Sequence, residues 1–278
     1  MEKLSRYAKI DRDKDIMIVK GGKHLVDPKE VIIKSKKRVQ KHGEVFTPKR
    51  IVKMMLDQPG IKEACESLTA TFLEPSAGEG AFLVEILKRK LDMVYEQYNE
   101  DLKQYENYSL FALTTLYGVE LLEDNAQRCV MNLYKVYNDF YRQAATRHQG
   151  VTRDKVFRAA QYIISTNIVQ GDFLTKVRAD GEAIIFSEWQ LLNKKPHQKL
   201  VKVQRTEYAL EEMAEDVTHE PGYIHGSPIS SEDVQLSLFD LFEEVSEEEA
   251  PKIYRYLPCR IEDVYVEDME EVDEPHAD

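Results

Sequence analysis

The stretch "FLEPSAGEGAFLVEILKRK", Phe72 to Lys90, runs from a short apolar segment through an acid and a Gly-x-Gly turn into a helical pattern. Phe72, Leu73 and Glu74 read as the carboxyl end of a β-strand. After Ala81 the apolar residues recur at spacings of three and four, which predicts a helix over Ala81–Glu100. Gly78 and Gly80 remove side chains where the backbone turns tightly and can approach a ligand. The helix beginning near Ala81 presents amide N–H groups at the same place.

Two further stretches repeat the theme of a β-like segment closed by an acid. "LYGVELLEDN" reaches Glu120, and "NIVQGDFL" reaches Asp172. Further helical patterns cover Ile51–Leu56 and Asp124–Tyr141, so the chain reads as alternating α/β. In open α/β sheets the ligand crevice lies outside the carboxyl ends of the strands, where the three carboxylates can meet. Glu120 is placed to accept hydrogen bonds from a ribose diol, and Asp172 from an exocyclic amine. Residues 183–210 hold two β-like runs, a candidate hairpin.

In this order the segments resemble the cofactor-binding half of the S-adenosylmethionine-dependent adenine-N6 DNA methyltransferases, particularly the large restriction–modification methylases. The resemblance spans roughly residues 42–175 and implies a Rossmann-like class I methyltransferase sheet. "GEVFTPKRIV" resembles the family segment preceding the glycine turn, which implies that Phe46, Thr47 and Pro48 wrap the methionine end of the cofactor. Glu74, Pro75, Ala77, Gly78 and Gly80 match the acid-Pro-x-x-Gly-x-Gly signature under the amino-acid moiety. Glu120 matches the ribose-binding acid, and Asp172 with Phe173 the pair at the adenine ring.

The family's catalytic signature is absent. It places Asn, Asp or Ser before Pro-Pro-aromatic, orienting the adenine amine toward the sulfonium methyl and stacking on the flipped base. None of the ten prolines here is adjacent to another, so no catalytic residue is assigned. After the third acid-bearing strand only the 183–210 hairpin and "KIYRYLPCRIEDVYVED" remain, so the sheet is expected to be incomplete. The open edge of its first strand is covered either by a late segment such as Ile253–Val266 or by another polypeptide.

The formal net charge of -12 is polarised along the chain. Residues 1–50 hold 15 Lys+Arg against 7 Asp+Glu, and residues 211–278 hold 3 against 22. Three regions follow: a basic N-terminal segment over 1–40, a methyltransferase-like cofactor domain over 41–210, and an acidic, partly flexible C-terminal extension over 211–278. Lys34, Lys36, Lys37, Arg38 and Lys41 read either as an arm on a phosphate backbone or as a solvated face. In the tail, "QLSLFD" resembles the peptide by which bacterial DNA-processing proteins dock on the sliding clamp. The resemblance implies partner contacts by Gln235, Leu236, Leu238 and Phe239; the alternative is a helix face docked on the protein's own core.

No apolar run approaches the ~20 residues of a membrane span, and the first residues lack a secretory core, so a cytoplasmic protein with no membrane partner is expected. Cys65, Cys129 and Cys259 form no C-x-x-C, which indicates neither a metal site nor a disulfide framework. The expectation is an S-adenosylmethionine-binding restriction–modification subunit acting on DNA, with a second methyltransferase or specificity subunit for base binding and target recognition. A catalytically inactive adaptor or regulator is the alternative from another class; a small-molecule or RNA methyltransferase is a third.

Overall fold

Three parallel strands end at the three acids. The computed structural model describes residues 8–11, 16–19, 33–193, 195, 197–215, 217–226 and 252–272. The Gln235–Asp240 segment lies outside them. β1 (Ala8–Asp11) and β2 (Ile16–Val19) form an antiparallel ribbon. α1 (Lys36–His42) starts at Ser35, whose hydroxyl accepts the Arg38 amide at 3.2 Å. α2 (Lys49–Leu56) and α3 (Ile61–Cys65) lead into β3 (Phe72–Glu74). The helix pair α4 (Ala81–Gln97) and α5 (Leu102–Leu113) connects β3 to β4 (Leu116–Glu120). A second pair, α6 (Glu123–Arg147) and α7 (Asp154–Asn167), connects β4 to β5 (Ile168–Asp172). β6 (Val177–Arg178) pairs antiparallel to β5, giving the order β3-β4-β5-β6.

The remainder is antiparallel. β7 (Ile185–Leu191) and β8 (Lys202–Ala209) make the hairpin expected over 183–210, and α8 (Leu210–Ala214) follows. β9 (Ile253–Tyr256) pairs with β11 (Met269–Val272), and β10 (Cys259–Arg260) with β8. A 3-10 turn, Ile261–Val266, lies between β10 and β11. The architecture is thus mixed α/β, with parallel and antiparallel strands.

Register decides which side chains share a face. Glu74 sits beside Gly118, Gly118 beside Ile168, and Glu120 beside Gln170. Because side chains alternate along a strand, Glu74, Glu120 and Asp172 all belong to the face that carries Leu116 and Ile168. Helices α4 to α7 cover that face with one continuous apolar core. Gly118 permits the close approach: a Cβ there would lie 2.9 Å from Leu83 of α4 and 3.1 Å from Ile168. The opposite face carries Tyr117 and Val119, which pack on Ile184, Phe186 and Leu210. Helices therefore line one side of the sheet; the hairpin region meets the other through Ile184, Phe186 and Leu210 and also joins the main core through Trp189, Val201 and Val203.

The C-terminal segment returns to this core and does not extend the sheet. Ile261 and Val264, three apart and so on one side of a 3-10 turn, are both buried in the main core. Between them Glu262, 2% exposed, takes Arg153 at 2.6 Å, Lys155 at 2.7 Å and Lys103. This corrects the expectation that Ile253–Val266 could lie beside the first strand: β9 pairs with β11, and the turn docks on α5 and α7. Among the described residues no strand occupies the outer edge of β3, where Leu73 is 39% exposed.

Candidate functional site

The glycine turn is stitched to the sheet through its backbone. The Ala77 amide donates to the Val119 carbonyl at 2.9 Å, and the Gly80 amide to the Ala77 carbonyl at 2.8 Å. Gly78 and Gly80 hold φ values of +55° and +86°, a region that side-chain-bearing residues enter at a cost. A Cβ on Gly80 would also lie 2.8 Å from the Sγ of Cys129. Cys129 is fully buried, and burial pushes that thiol up to about 12. Ala81 then opens α4, whose first-turn amides have no intrahelical acceptors.

Glu120 ties the turn to the next strand. It is 6% exposed, and its Oε2 accepts the Gly78 amide at 2.7 Å. Its Oε1 accepts the Leu122 amide at 3.0 Å and the Asn125 side-chain amide at 3.3 Å. A carboxylate offers about four acceptor directions, so three internal donors orient it without exhausting it.

Residues 33–48 cross in front of this pair. The Phe46 ring lies over Gly78, 3.8 Å from where a Cβ would stand. The Lys34 ammonium reaches Glu79 of the turn at 3.0 Å, Asp124 at 2.9 Å and the Asn125 carbonyl at 2.5 Å, and lies 5.7 Å from the Phe46 ring centre. Arg38 binds Asp124 with two nitrogens, at 3.0 and 3.1 Å, and also holds Glu44. Hydrogen bonds from Arg38 and Lys34 hold the Asp124 carboxyl at about 2. Lys34 and Arg38, candidates for a phosphate-binding arm, are therefore engaged by the chain's own acids.

The other candidate residues are placed less uniformly. Pro48 begins α2, accepting the Ile51 and Val52 amides on its carbonyl, and Thr47 precedes it half-buried. Glu74 is half-buried with Pro75 exposed after it; burial pushes its carboxyl up, opposed by the Ser76 amide at 3.3 Å. Asp172 lies two residues beyond Gln170, the register partner of Glu120, and accepts the Leu174 amide at 2.8 Å. Phe173 packs with Tyr117, Val119 and Phe186 on the opposite face of the sheet. The structure thus joins Phe46, Ala77, Gly78, Gly80 and Glu120 in one cluster, with Glu74 and Asp172 flanking it on the same face.

Comparison with known protein families, curated proteins and solved structures returns no match. The site must be read from its own chemistry. It offers a buried acceptor pair, a turn without side chains and helix-terminal amides, a set suited to a polar ligand with vicinal hydroxyls and an anionic group. Among the described residues no group of three or more His, Cys, Asp or Glu side chains could hold a metal ion, and no helix is long and apolar enough to cross a membrane. An open depression of about 430 Å³ lies along β5 and β6, lined by Thr166, Val169, Gln170, Arg178 and Asp180. The Arg178–Asp180 ion pair, 2.9 Å, stands within that lining.

Asn125 and Glu44 join the site without having been singled out in the sequence. Asn125 carries a local signal: a polar side chain in the first turn of a helix, just after a strand-end acid. Glu44 carries none, since its partners Arg38 and Asn125 are defined only by the fold.

Proposed function

We propose that this chain binds S-adenosylmethionine and serves as the cofactor-binding part of a DNA adenine-N6 methyltransferase of the restriction–modification kind, on a Rossmann-like sheet. The observation that carries the reading is the Gly78–Glu120 hydrogen bond at 2.7 Å, which makes the glycine turn and the acid of the next parallel strand one unit. The residues fit the cofactor in chemistry: Glu120 accepts from the ribose hydroxyls, and the turn and the first amides of α4 receive the amino-acid carboxylate. Phe46, Thr47 and Pro48 flank the methionine end with Glu74, and Asp172 accepts from the adenine amine. When bound, the cofactor supplies an electrophilic methyl group.

Base binding and target recognition belong to a partner chain in this reading. Two observations support it. The sequence holds no adjacent prolines, hence no amine-orienting signature. The outer edge of β3 carries no strand among the described residues, and such edges accept strands from other chains. Ultraviolet crosslinking with tritiated-methyl S-adenosylmethionine tests the proposal: the wild-type chain should be labelled and Glu120→Ala should not. Under the same conditions the pure chain should transfer no methyl to genomic DNA. Equal labelling of both chains would reject the assignment of Glu120.

A further inference from the structure

We propose that Asn125 is a positioning residue for the Glu120 carboxylate, and that through it residues 33–48 set the site's grip on a ribose diol; this rests on the cofactor reading above. Glu120 accepts three N–H groups. Two are backbone amides, Gly78 and Leu122, fixed by the turn and by the entry to α6. The third is the Asn125 side chain, at 3.3 Å the longest and the one that can adjust.

The orientation of Asn125 is forced by its neighbours. It is 1% exposed, with Nδ2 directed at Glu44, 2.7 Å, and at Glu120, while Oδ1 faces the Lys34 ammonium at 2.5 Å. Reversed, its carbonyl would face two carboxylates and its amine an ammonium. Its two other partners, Lys34 and Glu44, both belong to the crossing segment. Arg38 holds Glu44, and Lys34 also grips Glu79 inside the glycine turn. Displacing residues 33–48 would strip Asn125 of both contacts and leave Glu120 oriented by backbone donors alone. A diol that needs the oriented carboxylate therefore favours the docked segment, and by linkage the docked segment favours the diol to the same degree.

The test is calorimetric titration of wild type, Asn125→Ala and Lys34→Ala with S-adenosylhomocysteine and with its 2′-deoxy counterpart. The wild type should prefer the ribose ligand. Asn125→Ala should weaken the ribose ligand about tenfold while barely moving the deoxy ligand, so that the preference collapses. Lys34→Ala should shift the ratio in the same direction by less. In the wild type, saturating ligand should slow tryptic cleavage after Lys36, Lys37 and Lys41; in Asn125→Ala it should not. Equal losses for both ligands would mark Asn125 as a structural residue only and overturn the inference. Should Asn125→Ala not fold, an unchanged ribose-to-deoxyribose ratio in Lys34→Ala overturns it equally. Binding of neither ligand by folded wild type would reject the cofactor reading itself, and this inference with it.

Discussion

The amide of Gly78 and the carboxylate of Glu120, 42 positions apart, are joined by a 2.7 Å hydrogen bond. Removing the acid leaves three N–H donors short of their acceptor around a residue that is itself 6% exposed. Glu120→Ala should therefore cost stability even without ligand, on the order of 2 kcal/mol. Urea unfolding of the two proteins gives the difference directly. A neutral substitution would mean that Gly78 finds another acceptor and that the turn and the acid are not one unit.

Gly80 combines a left-handed φ of +86° with a neighbour 2.8 Å from any added Cβ. Gly80→Ala should cost about 2–3 kcal/mol through both effects. Pairing it with Cys129→Ala removes the Sγ contact and leaves the φ strain. The double variant should be less destabilised than the sum of the singles, as a thermal-unfolding cycle would show; strict additivity would place the whole cost in the backbone.

Sequence patterns exposed the site better than the helices that support it. The strand ends at Glu74, Glu120 and Asp172 were legible because acid, glycine and apolar run are neighbours in the chain. α5 was not, since Gln104 to Leu113 are all buried and no polar stripe marks an outer face. Two of its polar side chains reach far along the chain: Gln104 donates to the His197 carbonyl at 2.9 Å, and Asn107 to that of Lys199 at 3.1 Å. α7 runs directly into β5, so "QYIISTNIVQ" reads as one β-branched run. Lys34 and Arg38 read equally as an arm or a solvated face because their acidic partner Asp124 is 90 and 86 positions away.

Lys90 offers a pH signature. It is fully buried in α4, donating to the Ser67 and Ala70 carbonyls at 2.7 and 2.8 Å. Burial pushes its ammonium down to about 8 from the ordinary 10.5. Between those values the unfolded chain holds a proton that the folded chain has released, so stability rises with pH across the window. Relative to Lys90→Met, the wild type should gain on the order of 3 kcal/mol from below pH 8 to above pH 10.5, read from urea midpoints. A constant difference between the two would show that the amine stays charged.

Glu262 behaves oppositely. Burial raises its carboxyl, but hydrogen bonds from Lys103, Lys155 and Arg153 outweigh it and hold the group at about 2 against an ordinary 4.5. Its contribution should be complete above pH 4.5 and lost as the pH falls toward 2. Glu262→Gln should lower stability at neutral pH and flatten the acid limb, and proteolysis should then open the Ile261–Val266 turn first. An unchanged acid limb would remove this carboxylate from the list of groups anchoring the C-terminal segment.

The central claim is that the glycine turn and Glu120 together hold S-adenosylmethionine. Calorimetry of the folded 278-residue chain against S-adenosylmethionine measures it most directly. The expected result is saturable one-to-one binding, weakened roughly tenfold to a hundredfold by Glu120→Ala and similarly by Gly80→Leu. Absence of binding heat at about millimolar cofactor, from protein whose unfolding is cooperative, would contradict the account.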